Sequence, residues 1–164
     1  MVSSEQSENH QCELECNLRV LRELPFLAEL PEELLRVMAY LCERETFVPG
    51  QAVFEEGQPA EGAVAVITGS MVIERGGRKL AALNEGMCAG GLTLLGQYRW
   101  LYTLRAETAA DCLLLHRRRL LPQLVAQPAS LAAVARELVE SVVFWDLQRL
   151  ERGADGDVAG PGLL

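Results

Sequence analysis

Gly86-Met-Cys-Ala-Gly-Gly-Leu-Thr-Leu-Leu-Gly-Gln-Tyr-Arg-Trp-Leu-Tyr-Thr-Leu-Arg-Ala106 is the stretch on which the fold turns. Two adjacent glycines, Gly90 and Gly91, precede a short apolar turn of Leu92, Thr93, Leu94 and Leu95. A Gly-Gln-Tyr-Arg turn follows, and then a strand-like run from Trp100 to Ala106. Backbone N–H groups at a glycine turn that opens a short helix form an anion cradle. The stretch therefore predicts a helical interruption inside a series of strands.

Working outward, the flanks supply that series. Thr46-Phe47-Val48 runs into Pro49-Gly50, and Ala52-Val53-Phe54 into Glu56-Gly57. Ala63 to Ile67 ends at Thr68-Gly69, Met71 to Glu74 at Gly76-Gly77, and Leu80 to Leu83 at Asn84-Glu85-Gly86. Downstream, strands resume at Trp100–Ala106 and Asp111–His116. Short strands at near-regular spacing, punctuated by glycine turns, predict an antiparallel sandwich or barrel.

Helices flank the strands. Leu14, Leu18, Leu21 and Leu24 keep a helical spacing up to Pro25. A second helix is expected to start at Pro31, with Glu32 and Glu33 at its positive end and Leu34, Leu35, Met38 and Leu41 as its apolar face. Residues 1–12 are polar and are expected to fray. From Arg118 the helical period returns, broken at Pro122 and Pro128. The long piece, 129–151, carries two stripes. Leu131, Val134, Leu138, Val142 and Trp145 form one, and Val139, Val143, Leu147 and Leu150 the other. One stripe can pack on the strands and the other needs a partner. A symmetric helix–helix dimer follows, with Leu131, Val134, Leu138, Val142 and Trp145 assigned to it. The Gly-rich residues 152–164 read as a disordered tail.

The chain has 164 residues and a net charge of −8, enough for one domain with a real core and contrary to a nucleic-acid surface. Arg117-Arg118-Arg119 is the one compact basic cluster and reads as a solvated helix start. The first ten residues have no apolar core of a signal peptide, and no apolar run reaches the length of a membrane span. A cytoplasmic protein without membrane contact is expected. Cys12, Cys16, Cys42, Cys88 and Cys112 are odd in number and scattered, which fits reduced thiols. His10, Cys12 and Cys16 do not have the paired spacing of structural zinc, so no metal and no cofactor are expected. No nucleophile–His–carboxylate motif and no P-loop are present, so the chain does not read as an enzyme.

Two helices, an antiparallel barrel with a helical insert, and a long helix resemble the cyclic nucleotide-binding domain, above all the sensor half of Crp/Fnr-type bacterial regulators. The resemblance covers roughly residues 18–150. Val48-Pro-Gly-Gln-Ala-Val-Phe54 matches the family's glycine turn before its second strand, and Glu55-Glu-Gly-Gln-Pro-Ala-Glu61 its Glu-Gly-Asp turn. Val64 to Ile73 matches the strand–glycine–strand hairpin, and Leu104 to Leu115 the strand pair closing the barrel. The implied fold is mainly β with flanking helices: a double-stranded β-helix (jelly-roll) barrel plus a long C-terminal helix. Residues 13–128 would form the barrel with its N-terminal helices.

By this resemblance the opening stretch is the phosphate-binding cassette. There the family places a glutamate for the ribose hydroxyl and an arginine for the cyclic phosphate. This chain keeps Gly90 and the Leu92, Leu94, Leu95 turn, but has Gly91 at the glutamate position and Trp100 at the arginine position. A charged hydrogen bond is worth about 1.5–3 kcal/mol, so losing both anchors weakens nucleotide binding by orders of magnitude. The candidate ligand-binding residues are Gly90, Gly91, Leu92, Thr93, Arg99, Trp100 and Tyr102. The expectation is a non-catalytic regulatory or sensor module, without ordinary cyclic AMP or GMP binding, that dimerises and acts on a protein partner. One alternative is a cyclic-nucleotide or other anion sensor using Arg99. Another is a haem or redox sensor, with Met87, Cys88, Tyr98 or His116 as axial ligands. The family's transcription factors carry a helix-turn-helix domain after the long helix, where this chain has its Gly-rich tail, so DNA binding is not expected.

Overall fold

The structure, a computed structural model, describes residues 2–153, and the side-chain surroundings of 11–144 and Leu147. Two four-stranded antiparallel sheets form the centre. Sheet one has the order β1 (Glu43–Phe47), β8 (Ala110–His116), β3 (Gly62–Thr68), β6 (Cys88–Ala89). Sheet two has the order β2 (Ala52–Phe54), β7 (Thr103–Ala106), β4 (Met71–Arg75), β5 (Arg78–Leu83). The two sheets remain separate and do not close into one barrel.

Residues directly opposite in an antiparallel pair share a face. The register Ala63↔Leu115, Val64↔Leu114, Ala65↔Leu113, Val66↔Cys112 thus gives sheet one two apolar faces. Ala63, Ala65, Leu113 and Leu115 face a core shared with the helices. Val64, Val66 and Cys112 face a second core shared with Phe54, Met71, Leu83, Leu104 and Ala106 of sheet two. Being covered on both sides, β3 and β8 read as unbroken apolar runs over residues 63–67 and 112–115. By contrast, β1 is an edge strand, exposed from Glu43 to Thr46, so hydropathy revealed only its end at Phe47.

Helix α1 (Val2–Glu23) ends just before Pro25, as the leucine spacing requires, and places Leu18, Leu21 and Leu24 in the core. It begins at Val2, so the polar residues expected to fray are helical. Between Val2 and Cys12 there is no proline or glycine, and extending an anchored helix costs far less than nucleating one. A 3-10 turn, Pro25–Leu27, leads to α2 (Glu32–Leu41). Pro31 caps α2 in an extended conformation (φ −56°, ψ 141°) and is not its first helical residue.

Helix α3 (Arg117–Val125) tolerates Pro122 within it, and α4 (Pro128–Gly153) follows. On α4, Val134 (0% exposed) and Leu138 (6%) are covered by the protein's own first core, and Leu131 packs at its margin. These three belong to the stripe assigned by sequence to the dimer, and the structure corrects that assignment. Their side of the helix meets the Pro25–Leu27 turn and the cassette. The exposed apolar surface is Val139, Val143, Phe144 and Leu147, which include three of the four residues of the other stripe. Val142 is intermediate between the two, and the Trp145 and Leu150 side chains and the tail beyond 153 lie outside the described residues. No helix among the described residues is long and apolar enough to cross a membrane.

Candidate functional site

The cassette lies between β6 and β7. Gly90 takes a left-handed conformation (φ 78°, ψ 25°), which glycine alone adopts without strain, and turns the chain into a short 3-10 helix, Gly91–Leu94. Thr93 is fully buried and closes this turn on itself. Its N–H and its hydroxyl both donate to the Gly90 carbonyl, at 2.9 and 2.6 Å. Leu94 is fully buried in the first core, with Leu92 and Leu95 packed around it. The apolar turn is therefore an anchor, and the Thr93 hydroxyl is already used.

The cassette is also held from behind. The Arg117 guanidinium donates from one nitrogen to the carbonyls of Gly96 (2.7 Å), Ala60 (3.2 Å) and Thr93 (3.3 Å). It ties the C-terminal end of the cassette turn to the segment before β3 and to the start of α3. The sequence placed Arg117 in a solvated cluster and missed this role. Its acceptors are main-chain carbonyls, which every residue has, so no side-chain pattern could have marked it. Arg119 does fit the solvated reading, since it pairs with Glu43 at the exposed surface.

Trp100 stands, by count along the chain, where the resemblance puts the family's arginine. It is 5% exposed and stacks on Phe54, with ring centroids 3.5 Å apart and planes 6° apart. Tyr98 and Tyr102 close around it at 6.3 and 5.9 Å. The indole edge lies on Gly90 so closely that a Cβ there would sit 2.3 Å from Trp100 Cη2. Neither Trp100 nor Tyr102 is in regular strand, because β7 starts only at Thr103. Burial raises the Tyr98 phenol to about 12 and moves Tyr102 in the same direction, so both stay neutral. The space in front of the cassette is thus filled by uncharged rings.

The remaining sequence candidates are placed elsewhere. Arg99 is exposed and donates to the Gly57 carbonyl at 2.7 Å, across an isolated bridge with Pro59. Its guanidinium is spent on the Glu55–Gln58 turn and is not brought to Gly90. Gly91 does not face the rings. A Cβ on it would meet Leu138 Cδ2 at 3.0 Å and Phe26 Cε1 at 3.4 Å. Gly91 is where α4 settles onto the cassette, and a longer side chain there would press against the helix.

The axial-ligand candidates do not converge. Met87 is exposed, while His116 pairs with Glu43 at 3.0 Å. Burial pushes the Cys88 thiol up to about 12, the opposite of a ligating thiolate. Among the described residues no group of three or more His, Cys, Asp or Glu is disposed to hold a metal ion, and the His10 side chain lies outside them.

Three comparisons bear on this geometry. Residues 44–127 match the family described as the cyclic nucleotide-binding domain. The chain is 32% identical over 119 residues to the HTH-type transcriptional regulator Cmr of Mycobacterium tuberculosis (strain CDC 1551 / Oshkosh), covering 70% of this chain and 47% of that protein. It therefore spans about half the length of the curated relative it matches. Among solved structures it resembles the N-terminal domain of a transcriptional regulator from Streptomyces coelicolor A3(2), at 25% identity and a TM-score of 0.66, covering 87% of this chain and 99% of that one. The sensor domain of the transcriptional regulator DNR from Pseudomonas aeruginosa shares the fold, at 16% identity and a TM-score of 0.67, covering 90% and 98%.

Proposed function

The chain belongs to the cyclic nucleotide-binding domain family, and from that premise we propose that it is a cytoplasmic sensor module that does not bind ordinary cyclic nucleotides. The family is regulatory and not enzymatic, and the relatives are regulators of the Crp/Fnr type. The observation that carries the finer reading is the contact of Trp100 with Gly90. A cyclic phosphate at this turn would have to displace a ring that is stacked on Phe54 and almost fully buried. Among the described residues no arginine stands ready to receive it, since Arg99 serves Gly57 and Arg117 serves the carbonyls behind the turn.

The module's output is α4. Leu138 rests beside the Gly91 backbone, so any movement of the cassette is felt by the helix. The exposed stripe Val139, Val143, Phe144 and Leu147 is the surface through which α4 pairs with a second copy and signals to a protein partner. Isothermal titration with cyclic AMP and cyclic GMP tests the ligand reading. Saturation is expected only above about 1 mM, and a micromolar dissociation constant for either would overturn it. Sedimentation of Val143→Glu/Phe144→Glu tests the output surface. A dimer that persists unchanged in that variant rules the surface out.

A further inference from the structure

Cysteine is among the residue types most often buried. Three of the five here conform: Cys42 and Cys112 lie in the two cores, and Cys88 packs against the first. Cys12 and Cys16 belong to neither core. Cys12 is exposed and Cys16 half-exposed. They stand four residues apart on α1, on the face turned away from the buried Asn17, Leu18, Leu21 and Leu24. The turn that carries them is fixed from behind. Leu14 packs against the first core, Glu15 pairs with Arg36 at 3.4 Å, and the Asn17 side-chain amide donates to the Ala39 carbonyl at 3.2 Å. On the open side, Arg19 donates from Nη2 to Cys16 Sγ at 3.8 Å. Two accessible sulfurs are thus held side by side on a turn of helix that is anchored to the protein.

Residues four apart on a helix have their Cβ atoms about 5–6 Å apart, whereas a disulfide needs about 3.5–4.5 Å. The two thiols therefore do not join each other while the turn stays helical. An ion between them removes the mismatch. Bonds of about 2.3 Å to a tetrahedral centre set two sulfurs about 3.8 Å apart, within reach of two side chains leaning together from that spacing. We propose that Cys12 and Cys16 form an open two-sulfur site for a single thiophilic ion, a soft divalent metal or a trivalent arsenical. Structural zinc and iron–sulfur clusters take four protein ligands, and among the described residues no third His, Cys, Asp or Glu joins this pair. The ion's remaining positions are filled by its own substituents or by solvent. Hard ions such as magnesium and calcium take oxygen and pass the site by. A divalent metal sends both thiol protons to solvent. With an organoarsenic oxide, two As–S bonds form and the arsenic–oxygen bond is given up. Both thiol protons then leave on that oxygen as water, and no oxidation state changes. The site is remote from the cassette in sequence and stands independently of the ligand reading above. Helix α1 runs into the Pro25–Leu27 turn against which α4 rests, so the ion is carried on the element next to the output helix.

Titration of the reduced full chain with phenylarsine oxide and with cadmium chloride decides the matter, with native mass spectrometry for stoichiometry and circular dichroism for the helix. One equivalent of phenylarsine oxide is expected to bind with a dissociation constant of about 1 μM or below, and one of cadmium at about 10 μM or below. Each should protect two thiols of the native protein from a thiol-reactive dye and leave the helical signal intact. Cys12→Ser and Cys16→Ser should each weaken both ions at least about a hundredfold, because the second bond of a chelate is made at high effective concentration. Both side chains lie outside the cores, so the variants keep the thermal midpoint of the parent, which is the control for folding. If only one ion binds with this dependence on both sulfurs, the site stands and that ion names its class. A stoichiometry of two, an affinity within about threefold of the parent in either serine variant, or no binding of either ion up to about 100 μM would each overturn the proposal. So would a Cys12–Cys16 disulfide formed by mild oxidation with the helical signal unchanged. Cyclic AMP titrated separately reports on the cassette alone, and neither result bears on the other.

Discussion

Replacing Gly90 by alanine tests whether the Trp100 indole is the fixed occupant of the cassette. The substitution has two costs. At φ 78° an L-residue pays for the left-handed conformation, about 1–2 kcal/mol. The new Cβ also falls 2.3 Å from Trp100 Cη2 and 2.8 Å from Cζ3. The ring cannot swing away, because Phe54 is stacked on it and the tyrosines enclose it. Overpacking of this kind adds about 1–3 kcal/mol. Trp100→Ala alone removes a buried indole and should cost about 3–5 kcal/mol. In Gly90→Ala/Trp100→Ala the clash has no partner, so the double variant should be more stable than the sum of the two losses predicts, by about 1–3 kcal/mol. Urea denaturation of the parent and the three variants, followed by tyrosine fluorescence and circular dichroism, measures this coupling. Distant sites add within about 0.5 kcal/mol. Additivity within that limit would show that the indole does not lie on Gly90 in solution, and the account of the filled cassette would fall with it.

Further expectations concern the groups around the cassette. Arg117→Met, which keeps the stem but removes the guanidinium, leaves three carbonyls without their donor. A loss of about 2–3 kcal/mol is expected, with faster hydrogen exchange at the Leu95 and Gly96 amides, and unchanged exchange there would refute the latch. The hydrogen bond from His116, and then the charge of Arg119, hold the Glu43 carboxyl below the ordinary carboxylate range. Its folded value is thus lower than its unfolded one, so its contribution is complete above the unfolded value and is lost as pH falls through the folded value. The denaturation midpoint should drop between about pH 5 and pH 3, and less steeply in Glu43→Gln. Burial pushes the thiols of Cys42, Cys88 and Cys112 up to about 12. A thiol reagent at neutral pH should label Cys12 and Cys16 in the native protein and the other three only after unfolding. Fast native labelling of Cys88 would show the cassette strand to be open.

Much of the architecture was legible in the residues because local signals and tertiary demands coincide. The middles of β3 (residues 63–67) and β8 (residues 112–115) are apolar at every position since both faces of sheet one are covered, and glycine turns end most of the others. The leucines of α1 and the stop at Pro25 followed the same logic. Where one face meets water the signal weakened, so β1 was read only at its last residues and the two-residue β6 not at all. The cassette is located by its glycines, and Gly91 and Trp100 are legible there by type but not by what they touch.

What the sequence alone settled is therefore the family, the order of the elements and the residue types, Gly91 and Trp100, that flank the cassette turn. Those follow from residue type and spacing, which need no third dimension. Only the tertiary structure decided what surrounds them. The seating of Trp100 on Gly90, the settling of Leu138 beside Gly91 and the reach of Arg117 to three carbonyls join residues ten to fifty-seven positions apart. Such contacts depend on how the elements pack, and backbone acceptors and bare glycine surfaces leave no trace in a string of side chains. The same packing chose which stripe of α4 is buried, because the helix turns toward whatever surface the cassette presents to it.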